Sequence, residues 1–130
     1  LAALKKYGYE PELMVSSVNK GKIADFKARY DAVMIFADIT SFAQTNSVRL
    51  LWPHPMSSCY PWYIHDVPTL FTSFNYTNRL VDVARVPAFI NAYNDTPETV
   101  DETVKRIAGL APFEGKYDED VWCGMWDTHF

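Results

Sequence analysis

The residues with the most chemical potential lie in one polar run, from Asp38 to Arg49, directly after an apolar stretch. Asp38 and Thr40 open it, and Gln44, Asn46 and Arg49 follow, so a carboxylate, a hydroxyl, two amides and a guanidinium sit close together in sequence. Groups of this kind hold polar ligands such as sugars, whose hydroxyls both donate and accept hydrogen bonds. The same groups also cap helices and tie long loops to neighbouring surface. On chemistry alone that plainer role is the stronger expectation.

The remaining candidates are weaker. His54, His65 and His129 do not have metal-ligand spacing, and no paired-cysteine motif joins them, so no metal is expected. His65-Asp66 precedes a strand, where a solvated or structural role is expected. Ser57 and Ser58 lack the Gly-x-Ser-x-Gly turn that would expose a nucleophile. The five glycines form no phosphate-cradling loop, which argues against a flavodoxin-like domain holding a phosphate-bearing cofactor. Asp118-Glu-Asp120 reads as a solvated acidic loop. Trp122, Trp126 and Asp127 would suit a sugar platform, but more often such residues anchor a chain end. No residue is nominated as catalytic, and no cofactor is expected.

The elements that would position these groups alternate. Leu1–Tyr7 reads as a helix closed by Gly8. Glu12–Val18 has the length of a strand, and Lys22–Tyr30 that of a short helix with Ile23 and Phe26 on one face. Ala32–Ala37 is an unbroken apolar run, typical of a strand covered on both faces. Val67–Ser73 is a second such run, with Pro68 tolerable only near its start. A short helix is expected at Asn75–Val81 and a third strand at Ala88–Tyr93. Thr96 and Pro97 are an N-cap and first turn for a helix over Thr99–Ile107, which Gly109 ends. Alternating strands and helices predict a parallel sheet in a three-layer αβα sandwich, flavodoxin- or Rossmann-like. Function in such sheets collects at the strand carboxyl ends, here Asp38–Ser41, Ser73–Asn75 and Tyr93–Asp95.

Composition narrows the classes. The chain has 130 residues, 48% hydrophobic and 22% charged, the balance of one globular domain. A net charge of −4 and a pI near 5.2 work against a nucleic-acid partner. The densest basic spots are only Lys5-Lys6 and Lys20 with Lys22. No apolar run approaches membrane-spanning length and no signal peptide is visible, so no membrane partner is expected. Aromatic residues reach 15%, which suits either a large aromatic core or sugar stacking, with core the plainer choice. Cys59 and Cys123 would be buried thiols or a single bridge. Starting at Leu1, inside a helix and without Met, residues 1–130 are expected to be one domain cut from a longer protein. Localisation is then not legible from this end.

Several stretches in order resemble one family. They are Tyr30-Asp-Ala-Val-Met-Ile-Phe-Ala37, Gln44-Thr-Asn-Ser-Val-Arg49 ending near Trp52, and Pro61-Trp-Tyr-Ile-His-Asp-Val-Pro-Thr69. Next come Leu80-Val-Asp-Val-Ala-Arg-Val-Pro87, Phe89-Ile-Asn-Ala-Tyr93, Phe113-Glu-Gly115 and the closing Trp122-Cys-Gly-Met-Trp-Asp-Thr128. Over Ala32–Thr128 the chain resembles the C-terminal α/β sandwich domain of glycoside hydrolase family 3 proteins, in the β-N-acetylhexosaminidase-like branch.

That resemblance implies a parent performing retaining hydrolysis of β-linked N-acetylglucosamine-type sugars, with its nucleophile and acid/base group in motifs of a preceding (β/α)8 barrel. None of those motifs occurs here. A retaining mechanism sets two groups about one glycosidic bond, a carboxyl pair being held about 5–5.5 Å apart, and no such pair is nominated. The family domain also begins with a strand before the helix at Leu1, so the resemblance implies a fragment whose partner is the barrel of the same chain. A catalytically silent accessory domain is therefore expected. The alternative is a free-standing carbohydrate-binding or protein-interaction module, with Asp38–Arg49 and the tryptophan-rich tail as its contacts.

Overall fold

The computed structural model describes residues 1–14, 22–39, 50, 61–83 and 85–116. The chain divides into two compact units, Leu1–Pro11 with Thr96–Phe130, and Glu12–Asp95.

The larger unit is built on a parallel sheet whose described strands are β1 (Val33–Ala37), β2 (Thr69–Ser73) and β3 (Ala88–Asn91), in that spatial order. The fold class is α/β. The register sets Ile35 beside Phe71 and Phe71 beside Phe89. Phe71, 1% exposed, therefore stacks on Phe89 with ring centroids 5.6 Å apart. Ala37, Phe71, Ile64, Val83 and Val86 form the core on this face, with Ile35, Ile39, Leu50, Leu80 and Phe89 packed around them. The chain leaving β2 supplies Leu80, Val83 and Val86, so the crossover to β3 itself covers the sheet. β2 pairs with β1 on one edge and β3 on the other, and none of its residues is exposed on either face, as an unbroken run requires. Pro68 lies just outside it and contributes only a carbonyl, which accepts from Val33 N at 2.8 Å.

Helix α2 (Ile23–Arg29) carries Phe26, whose ring meets Tyr30, Trp62 and Tyr63 at 4.8, 5.1 and 5.4 Å. The short helix expected at Asn75–Val81 is a 3-10 helix over Thr77–Val81. In the strand expected at Glu12–Val18, residues 12–14 have no regular structure and the rest lie outside the described residues.

The smaller unit contains α1 (Ala2–Lys6) and α3 (Pro97–Ile107). Thr96 caps α3 by accepting from Thr99 N, with Pro97 in the first turn as its missing N–H permits. Both helices end alike. Gly8 and Gly109 take φ of 89° and 74°, and just beyond them Tyr9 N and Leu110 N reach back five residues to Leu4 O and Lys105 O, each at 3.1 Å. Glycine adopts this left-handed closure without a Cβ clash. Lys6 Nζ lies 2.7 and 2.8 Å from the two Asp101 oxygens, and Tyr7 donates its hydroxyl to the same carboxylate at 2.7 Å. No helix among the described residues is long and apolar enough to cross a membrane.

Candidate functional site

Pairing continues just past the strands and gathers their carboxyl ends. Phe74 N donates to Ala37 O at 3.0 Å, and Ala92 N donates to Ser73 O at 2.8 Å. Asp38 is the first residue beyond β1, exposed, and its carboxylate accepts from the Asn75 side-chain amide. Ser73 donates its hydroxyl to Tyr76 O at 2.6 Å, which turns the chain into the 3-10 helix.

Behind this edge sits a buried ion pair. Arg79 Nη1 is 3.2 Å from Asp82 Oδ2, and the Arg79 guanidinium lies 5.3 Å from the centre of the Tyr76 ring. Asp82 also accepts from Leu50 N at 3.4 Å. The segment after β2 therefore holds residues at both ends of the stretch that leaves at Asp38, through Asn75 and through Asp82. Ile39 and Leu50 pack on the same core, so hydrophobic burial reinforces both points.

Asn91 ends β3 in the cross-strand row Ala37–Ser73–Asn91. Its Oδ1 is buried without a hydrogen-bond partner among the described residues. Two residues on, Tyr93 has φ of 67° while Asn94 N donates to Ala92 O at 2.9 Å. That is a γ-turn of the positive-φ kind, which is rare and strained, and for an aromatic residue costs on the order of 1–3 kcal/mol.

Of the residues expected to form the site, Asp38 is at the strand ends as the sequence implied. Thr40, Gln44, Asn46 and Arg49 lie outside the described residues, as do Cys59, Cys123 and the Trp122–Thr128 segment. His65 is exposed, and its neighbour Asp66 is 3.9 Å from Lys27 Nζ. Sequence reasoning passed over Arg79 and Asp82, whose spacing of three on a helical segment was the available signal. It also passed over Asn91, a lone polar residue inside an apolar strand. Among the described residues no three His, Cys, Asp or Glu side chains gather into a metal site.

Over 105 residues the chain is 38% identical to a protein of Cellulomonas fimi described as a beta-N-acetylglucosaminidase/beta-glucosidase. That relative is a family 3 glycoside hydrolase. The aligned part is 81% of this chain and 19% of the relative, so the match covers about a fifth of that enzyme's length. No family model matches the chain, and no solved structure matches it. The chemistry available at the described strand ends is hydrogen bonding and ring contact. Asp38 accepts, the Asn75 amide donates, and Asp82 is already engaged by Arg79.

Proposed function

We propose that this chain is the C-terminal accessory α/β domain of a family 3 glycoside hydrolase, whose parent hydrolyses O-glycosidic bonds of β-linked N-acetylglucosamine-type sugars. The nucleophile and the acid/base group belong to a (β/α)8 barrel of the parent. This domain packs against that barrel and lends its strand carboxyl ends to the rim of the site. Taken alone it is catalytically silent.

One observation carries the proposal: a match over 81% of this chain occupies only 19% of an enzyme described as a glycosidase. The parallel sheet supports the placement of function, because open α/β sheets bind ligands and partners beyond their strand carboxyl ends. The test is an assay of the purified chain with an aryl β-N-acetylglucosaminide. No turnover above buffer is expected, and turnover that persists through rigorous purification overturns the accessory role.

A further inference from the structure

The geometry points to Tyr93 as a carbohydrate-stacking residue at the carboxyl edge of the sheet, its ring taking the apolar face of a pyranose. This rests on the accessory-domain reading, and it adds a ligand contact to it.

Tyr93 has neither of the usual reasons to be an aromatic residue. A turn at φ of 67° is served better by glycine or asparagine, which enter the left-handed region with less steric cost. A large ring is normally retained for the area it buries, yet Tyr93 is 64% exposed. The Asn94 N to Ala92 O hydrogen bond holds the residue in that turn directly after β3. A strained backbone that presents an unburied ring is the pattern of a contact kept for a partner rather than for folding.

The surroundings select the partner's chemistry. β1 and β3 flank β2, so their exits lie about 10 Å apart across the edge. Asp38 and the Asn75 amide occupy the β1 side of that edge. An apolar ring face at one end and a carboxylate–amide pair at the other match a sugar, which offers axial C–H groups on its face and hydroxyls around its rim. A basic peptide, whose guanidinium groups can pair with the carboxylate and stack on the ring, is the competing occupant, and a flat sugar titration would favour it.

The test is calorimetric titration of the chain with chitotriose, alongside Tyr93→Gly, Tyr93→Asn and Tyr93→Phe. Tyr93→Gly and Tyr93→Asn are expected to melt no lower than the parent, since both relieve the turn. Their affinity should fall about tenfold or more, the scale of losing one ring contact. Tyr93→Phe keeps the ring and should bind within about threefold of the parent, while melting near it. Equal affinity in the parent and the folded Tyr93→Asn chain overturns the assignment. So does a flat titration of the parent, whatever its behaviour toward protein partners. Neither result touches the accessory role, which fails only if the isolated chain turns over a glycoside.

Discussion

Arg79 and Asp82 face one another at 3.2 Å with side chains 6% and 2% exposed, so the pair is removed from solvent while the backbone around it is only a short 3-10 helix. Removing one member leaves the other as an uncompensated buried charge. Asp82→Ala is expected to destabilise the fold by about 3–5 kcal/mol in urea denaturation. The double change Arg79→Met with Asp82→Leu removes both charges and is expected to recover most of that loss. A single-variant cost below about 1 kcal/mol would mean that the charges are hydrated like a surface pair.

Thr72 supplies the opposite case. It is fully buried in the central strand, and its hydroxyl has no partner among the described residues. An unmade hydrogen bond of this kind costs about 1–3 kcal/mol, whereas valine fills nearly the same volume without a polar atom. Thr72→Val is therefore expected to raise the unfolding free energy by roughly 1 kcal/mol, read as a higher urea midpoint with an unchanged slope. A lower midpoint would show that the hydroxyl is bonded after all.

Asp101 links pH to the smaller unit. Its carboxyl is held below its ordinary value of 3.8, first by the hydrogen bond from Lys6, then by that from Tyr7, with the charges of Lys6 and Lys105 adding to the effect. A carboxyl whose folded pKa is depressed stabilises above its unfolded pKa, and that contribution is lost as pH falls through the folded value. Lys6 is raised above 10.5, chiefly by the same Asp101 bond, so its share is complete below that pH and fades as pH rises through the folded value. Asp101→Asn should thus lower Tm at pH 7 and flatten its fall below pH 4. An identical acid limb in the parent and Asp101→Asn chains would show that the pair has no preference for the folded state.

The chain order of local elements was legible because local chemistry sets it. The apolar runs at Ala32–Ala37 and Val67–Ser73 emerged as β1 and β2, trimmed by one and two residues. Thr96-Pro97 and Gly109 bounded α3 as their backbone preferences require. The likeness to a family 3 enzyme was legible too, since short motifs kept their order over most of the chain.

What composition and periodicity could not supply was which distant groups share a place. Asp38 meets Asn75 only because β1 and β2 are parallel and in register at Ala37 and Ser73. Arg79 and Asp82 look like ordinary charges on a solvated helix until the crossover after β2 folds them inward with Leu80 and Val83. Tyr93 reads as the last aromatic of a strand, and only backbone geometry shows that it leaves the ladder in a strained turn with its ring unburied. Local propensity depends on neighbours in sequence, whereas burial, pairing and strain depend on neighbours in space, and those exist only once the sheet has formed.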